Sequence, residues 1–508
     1  MTRAAGRWDV VVIGGGPAGS TAAHLLASWG WSVCLIHRSS TRPTLAESLP
    51  PSTRKLLAHV GQLDAVERAA FHPCDGTVAR WAEAARTTAT DVPGFHVSRA
   101  AFDRVLRDCA ASAGVRIADG VVRRVDHGGS ASVTYAAATG EMITVHAPEV
   151  LDCSGRAGIV ARRGFRRTRQ RYRTLAIAAE WECAAWPVDE QARTLVESCA
   201  GGWAWSAPLT ATRRQCTVMI EGGGADRTST LREVYDREIA KTTAIRDRLA
   251  ASDAVRVGAP WACDASIYDC ARAADEGILL VGDAASFIEP LSSAGVKKAL
   301  LSAWRAAIVA NTCLKRSPAA AAARDFYTQR EREVYADCTQ RSRLFFAEAA
   351  AAYASPFWFA RAGTGRGADR PPAPAADDEA DVATDAALVQ DVAVRAAFES
   401  LRAEDGVRLR AADTLRFEPV PAIEGHEVVL RDGVVLRGVP GAVPFAAGVD
   451  LPALARLARG GADVATLIEA YHANVGPATI SGLLTGLSLL VARRALIAEG
   501  KGSSVLEF

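Results

Sequence analysis

The stretch Asp9 to Arg38 constrains this chain more than any other. An apolar β-branched run, Val10-Val11-Val12-Ile13, meets the turn Gly14-Gly15-Gly16-Pro17-Ala18-Gly19. A small-residue, helix-forming stretch follows to Gly30, and a second apolar run ends at His37 and Arg38. This order predicts strand, phosphate loop, helix, strand. Gly14 suits the tight turn, Gly16 lets a pyrophosphate approach the backbone, and Gly19 lets the helix pack closely on the sheet. The free N–H groups at the helix start, just behind Pro17 at Ala18, then face the phosphates. A chance glycine cluster in a hairpin does not explain the helix. The fold class expected is therefore α/β.

At 508 residues, two or three domains are expected. Hydrophobic residues at 49% and charged residues at 23% fit a water-soluble protein, and a formal charge of +2 gives no global attraction to nucleic acid or anionic membrane. No apolar run is long enough for a membrane span, and no secretory h-region precedes the first strand. Eleven cysteines are scattered without a Cys-x-x-Cys pair. They read as reduced thiols in a cytoplasmic protein, with no metal site.

Along the chain, Leu45 to Ser52 reads as a loop, with Pro50 and Pro51 delaying a helix until Ser52 caps one. Helical spacing runs from about Thr53 to Ala70. Ser98 is placed as the N-cap of an amphipathic helix. Val115 to Val125, Ser132 to Tyr135 and Met142 to Val145 form a small meander, and Val150 to Asp152 a strand. Residues 166–270 are rich in strand formers and predict a mostly antiparallel sheet covering the ligand. Gly277 to Ala285 returns to the nucleotide-binding part. Helices are expected at about Gly295 to Leu314 and Ala319 to Phe359. The resulting division is 1–165 with 271–360 for the nucleotide, with small substrate-side insertions near 70–100, then 166–270 for the substrate, a Gly-, Pro-, Ala- and Asp-rich linker at 361–384, and a C-terminal part at 385–508.

Three segments in order, the N-terminal glycine loop, Asp152-x-x-Gly155-Arg156, and Gly282-Asp283-Ala284-Ala285-Ser286-Phe287-Ile288-Glu289-Pro290-Leu291-Ser292-Ser293-Ala294-Gly295-Val296, resemble FAD-dependent group A monooxygenases, and within them the flavin halogenase-like branch. The resemblance covers most of residues 8–350. It implies a Rossmann-like FAD domain in which Gly282 and Asp283 hold FAD hydroxyls, with Asp283 as a charge-assisted acceptor. It also implies that Pro290, Ala294, Gly295 and Val296 open a helix under the isoalloxazine. Arg99 matches the family's arginine at the FAD phosphate or ribityl chain; the plain alternative is a solvated arginine. His37 and Arg38 stand where most dinucleotide folds carry a ribose-binding acid, so they are the candidates for the adenosine ribose.

Glu47-Ser48-Leu49-Pro50-Pro51-Ser52 is similar to the halogenases' Gly-Glu-Ser-Leu-x-Pro loop, with Ala46 in place of the glycine. Ser48 is a cofactor-contact candidate. Glu47 is a candidate base for a hydroxylated aromatic if burial raises its pKa, or else a surface glutamate. Gly202 to Pro208 is similar to the halogenases' Trp-x-Trp-x-Ile-Pro segment; Trp203, Trp205 and Pro208 are either substrate wall or core. Lys297 follows the flavin helix start and either reaches the site or lies on a solvated face. Chlorination needs a lysine, and its place falls near Cys74. The glutamate of tryptophan halogenases aligns with Ser292. Both groups are missing, which favours oxygen insertion over chlorination.

The mechanism the resemblance implies uses NADH, NADPH or a separate flavin reductase as electron source, a flavin C4a-hydroperoxide, and attack by an electron-rich ring. The C-terminal part resembles a winged helix without a basic, aromatic DNA-binding stripe. The combination resembles monooxygenases that hydroxylate a tryptophan of a precursor peptide or protein during tryptophylquinone biogenesis. The alternatives are a halogenase or hydroxylase of a free or carrier-bound aromatic, a lipid-saturating reductase, and a non-catalytic flavin-binding, peptide-docking protein.

Overall fold

The computed structural model describes residues 3–39, 43–82, 84–127, 131–167, 172–222, 229–315, 318–363, 391–403, 406–439 and 441–499. The chain divides into two compact units, one made of residues 1–317 with 324–375 and the other of 318–323 with 376–508. The linker reading falls, from residue 364 to 384, outside the described residues.

The first unit is built on a nine-stranded sheet. Its parallel centre runs Arg116–Asp126, Val33–His37, Val10–Ile13, Glu149–Asp152, Ile278–Leu280. Val10, Val11 and Val12 are fully buried, as a central parallel strand covered on both faces must be. Helix Pro17–Ser28 packs against helices Arg99–Ser112 and Gly295–Leu314. The meander strands Arg116–Asp126, Ala131–Ala137 and Met142–Ala147 extend the same sheet. Asp152 ends its strand with no exposed surface. It accepts from Ser154 Oγ at 2.5 Å and from the N–H groups of Val160 and Ala161 at 2.7 and 3.0 Å, which pins the turn that follows.

The second sheet of this unit has eight strands and is antiparallel except where Arg193–Cys199 pairs with His72–Trp81. It is wider than residues 166–270, because His72–Trp81, Ala84–Ser98 and Ala46–Leu49 complete one edge. Ala46–Leu49 was expected as a loop. It becomes a strand by antiparallel pairing with Phe95–Ser98, a partner distant in sequence. Residues 166–270 also hold two helices, Leu231–Ile239 and Ala244–Ala251. They cover one face of the sheet through Ile177, Val218, Tyr235 and Ile245. Alternate residues serve the opposite face, where Ala176, Trp203 and Met219 pack with Trp81, Phe346 and Trp358.

Helix Ser52–His59 starts one residue earlier than capping logic places it. Pro51 occupies the cap and Ser52 makes no side-chain cap bond. The expected helix to Ala70 is two pieces, Ser52–His59 and Leu63–Arg68. Ser98 does cap its helix, accepting from Ala101 N at 3.3 Å.

The second unit carries helix Val392–Ala403, the hairpin Phe417–Glu424 with Glu427–Val435, and helices Leu451–Leu457, Val464–Asn474 and Ile480–Ala492. Its core is its own, centred on Leu409, Leu451, Leu454, Leu483 and Leu487. Among the described residues no helix is long and apolar enough to cross a membrane. All eleven cysteines are free.

Candidate active site

A cavity of about 560 Å³ lies in the first unit. Segments distant in sequence line it: the glycine loop at Gly16, Pro17 and Ala18, strand Ala46–Leu49, the start of helix Arg99–Ser112, the turn at Cys153, Gly155 and Arg156, the second sheet at Thr194, Trp203, Met219 and Trp261, and residues Asp283 to Val296.

The glycines divide into two kinds. Gly14 and Gly19 do not line the cavity; they allow the loop to exist. At Gly14, with φ +109°, an added Cβ would lie 2.3 Å from the Cys153 carbonyl oxygen. At Gly19 it would lie 1.9 Å from the Gly14 carbonyl oxygen. Gly16, by contrast, borders the cavity, and a Cβ there would meet nothing closer than 3.7 Å. Helix Pro17–Ser28 begins at Gly16 without a side-chain cap, so its first N–H groups remain available to an anion. Helix Gly295–Leu314 likewise starts without a side-chain cap, at Ala294. Gly295 and Val296 line the cavity, Ala294 does not. Pro290 lines it, in a short 3-10 turn that ends at Ser293 in the left-handed region, φ +49°.

Charge in the cavity wall is concentrated around Arg99. Its guanidinium donates to Asp103 Oδ1 at 3.0 Å and to Glu47 Oε1 at 3.2 Å. Burial works against the Arg99 charge, but Asp103, Glu47 and Asp283 together raise its pKa. Glu47 is raised as well, chiefly by burial, with Arg99 opposing. A quarter of its side-chain surface is accessible, and it lines the cavity. Glu47 is thus enclosed rather than a surface-loop carboxylate. The second cavity cation, Arg156, lies 4.0 Å over the Phe287 ring and 3.4 Å from Asp264.

Both tryptophans in question are wall and core at once. Trp203 is nearly buried, stacks on Trp205 at 5.4 Å between ring centres, and meets Trp81 behind it. Both border the cavity; Pro208, at the buried end of the strand, does not. Lys297 is left open by the sequence between the site and a solvated helix face. It does not line the cavity, and its Nζ donates to Ser52 Oγ at 3.1 Å. Lys298 is buried instead against the carbonyls of Gly282 and Ser286, at 3.0 and 2.5 Å, so it braces the turn that presents Asp283. Gly282, φ +62°, fits that turn over Ala18 but does not face the cavity. His37 and Arg38 lie at the end of Val33–His37, outside the cavity wall. Burial lowers the His37 pKa, with Arg107 adding to the effect.

Sequence reasoning missed Thr194, Arg156, Met219, Trp261 and Cys263 as wall residues. Only Arg156 carried a signal, as the end of the Asp152-x-x-Gly155-Arg156 turn. Glu289 was missed too. It is 3% exposed, and burial pushes its carboxyl up to about 7 against the opposing Arg361 and Trp203. In the native protein it therefore keeps a proton that the unfolded chain releases near the ordinary value of 4.5. The native state binds the extra proton between these values, so stability falls as pH rises from about 4.5 to about 7 and stays lowered above it. Glu289→Gln is expected to match wild type in urea unfolding near pH 4 and to exceed it at pH 8 by roughly 3 kcal/mol. Equal pH profiles for the two proteins would refute this.

The open glycine loop, the uncapped helix starts, and a cavity with cations at Arg99 and Arg156 fit a dinucleotide that carries an extended ring system. With the parallel sheet and the second curled sheet, they define an FAD-type flavoprotein oxidoreductase. The chain belongs to the tryptophan halogenase family of FAD-dependent oxidoreductases, whose model matches residues 59–370. It is 30% identical over 334 residues to a tryptophan 2-halogenase of Chondromyces crocatus, a match spanning 63% of this chain and 64% of that protein. It is 28% identical to a 1H-pyrrole-2-carbonyl-[peptidyl-carrier protein] chlorinase of Pseudomonas fluorescens, over 58% of this chain and 74% of the other.

Two solved structures share the fold over nearly the whole chain. The flavin-dependent halogenase CmlS superposes with TM-score 0.75 at 21% identity, covering 99% of this chain and 98% of its own. The peptidyl tryptophan dihydroxylase QhpG, essential for tryptophylquinone cofactor biogenesis, superposes with TM-score 0.67 at 24% identity, covering 91% and 95%.

Proposed function

We propose that this protein is an FAD-dependent enzyme that inserts oxygen into an electron-rich aromatic compound, free or held on a carrier. One observation carries the choice of oxygen over halogen: among the described residues, no lysine lines the cavity. The position that the family resemblance gives to the halogenating lysine falls near Cys74. Burial pushes its thiol up to about 11, so it supplies neither an amine nor a thiolate near neutral pH. The similarity to halogenases of tryptophan and of a carrier-bound pyrrole supports an aromatic small molecule over a precursor protein. The likeness to QhpG is one of fold, so the tryptophylquinone reading has no support beyond the sequence resemblance.

FAD supplies the redox chemistry and the activation of oxygen when bound. The glycine loop at Gly16 to Ala18, Arg99, Asp283 and the helix start at Gly295 and Val296 are the groups that would hold it. His37 and Arg38, beyond the main cavity, are left for the adenosine end. The electron donor is NADH or NADPH, directly or through a separate flavin reductase. Trp203, Trp205, Met219 and Phe287 keep water from the reacting ring. Glu47, enclosed and raised in pKa, accepts the proton that the ring loses as it regains aromaticity.

The test is product mass. The FAD-loaded protein is incubated with a flavin reductase, NADH, oxygen and bromide, with tryptophan, indole or a carrier-bound pyrrole carboxylate as substrate. The expected result is gain of one oxygen on at least one of these and no bromine isotope doublet. Bromination would overturn the oxygen-insertion reading.

A further inference from the structure

Behind Ser48, a cavity residue, runs a short chain of buried polar groups that neither the cofactor nor the proposed chemistry uses. Ser48 Oγ lies 2.6 Å from Thr194 Oγ1, and Thr194 Oγ1 lies 2.9 Å from His96 Nε2. The other ring nitrogen, Nδ1, lies 2.8 Å from the Pro73 carbonyl oxygen. Backbone pairing fixes the ends: Ser48 faces His96 across the antiparallel pair Ala46–Leu49 with Ala84–Ser98. Ser48 and Thr194 both reach the cavity, whereas His96 is 1% exposed.

The direction of these bonds follows from what each group can donate. A carbonyl oxygen only accepts, so His96 Nδ1 must carry its proton. Burial, with Arg214 and His72 as nearby cations or potential cations, pushes the His96 pKa down to about 3, so the ring is neutral and Nε2 only accepts. Thr194 must therefore donate its one hydroxyl proton to Nε2. With that proton committed, the contact between the two hydroxyls can form only if Ser48 donates to Thr194. Ser48 then has no proton left for the cavity, and its oxygen presents lone pairs alone.

We propose that Ser48, oriented by Thr194 and His96, is a specificity residue that accepts a hydrogen bond from a ring N–H or O–H of the aromatic substrate. The inference rests on the aromatic-substrate reading above and narrows it to rings that bear a donor, such as an indole, a pyrrole or a phenol. A ring whose heteroatom is methylated would set a carbon group against an oxygen that needs a donor and would leave that oxygen unpaired.

Equilibrium binding tests this without turnover. The FAD-loaded protein is titrated by calorimetry with two matched pairs, indole against 1-methylindole and phenol against anisole. Wild type is expected to prefer the donor-bearing member of each pair by tenfold or more. Ser48→Ala is expected to bring both ratios close to one. Thr194→Val frees the Ser48 proton for the cavity while leaving the serine in place, and is expected to lower both ratios at least severalfold. Equal affinity within each pair in wild type overturns the inference while leaving the aromatic-substrate reading intact. So does a Ser48→Ala protein that keeps the preference but binds FAD more weakly, since Ser48 would then be serving the flavin. Failure of all four compounds to bind overturns both readings.

Discussion

Gly19→Ala is expected to destabilise the protein by about 4 kcal/mol or more, at the exceptional end of single-substitution effects. A methyl group at this position would sit 1.9 Å from the Gly14 carbonyl oxygen and 3.0 Å from the Cys153 side chain. The first of these is backbone in the turn that ends the central strand Val10–Ile13, so it cannot swing aside as a flexible side chain would. Relief requires the helix Pro17–Ser28 to move off the sheet, and that helix also packs on helices Arg99–Ser112 and Gly295–Leu314. The measurement is the urea midpoint of the FAD-free protein, read by circular dichroism. Gly295→Ala is the control. It borders the cavity, and an added Cβ meets nothing within 4 Å. It is expected to leave the FAD-free midpoint unchanged and to weaken FAD binding by intruding on the space under the ring. A wild-type midpoint for Gly19→Ala would mean that the loop is not packed as described.

Arg99→Ala is expected to raise the dissociation constant for FAD by about 30-fold to 4,000-fold. Arg99 is bonded to Glu47 and Asp103 and near the Asp283 charge. Its removal leaves these carboxylates facing one another across the cavity wall. Truncating one partner of an enclosed, hydrogen-bonded charge pair costs about 2–5 kcal/mol, and each 1.4 kcal/mol is tenfold in affinity. Arg99→Lys keeps the charge but loses the fork that spans two carboxylates, so an intermediate loss is expected. Fluorescence titration of FAD reads the result. An unchanged constant for Arg99→Ala would remove Arg99 from the flavin contact. The same variant loses the charge that opposes the Glu47 shift, so the Glu47 pKa is expected to rise further.

Much of the fold was legible because the sequence carries local signals at the places where local physics decides. The β-branched run Val10 to Ile13, the glycine loop and the helix after it are specified within thirty residues. Helix Gly295–Leu314 and the Ser98 cap were read from spacing and capping chemistry alone. The strand Ala46–Leu49 was read as a loop, since two prolines follow it and its partner lies near residue 97. Helices Leu231–Ile239 and Ala244–Ala251 were absorbed into a strand-rich region; the capping box at Thr230 and Glu233 was the local signal available for the first.

The site divides along the same line. Sequence by itself determined the glycine loop and the turn that carries Asp283, because each depends on neighbours along the chain. Only the tertiary structure decided which charged groups meet. It placed Glu47 beside Arg99, fifty-two positions apart, and turned Lys298 rather than Lys297 into the buried cation of the turn. It also decided that Trp203 and Trp205 are wall and core together, and that Ser48, Thr194 and His96 form one hydrogen-bonded line. These groups come from strands that pair across the second sheet. Burial and cross-strand register, not chain order, set their distances, their proton directions and their pKa values.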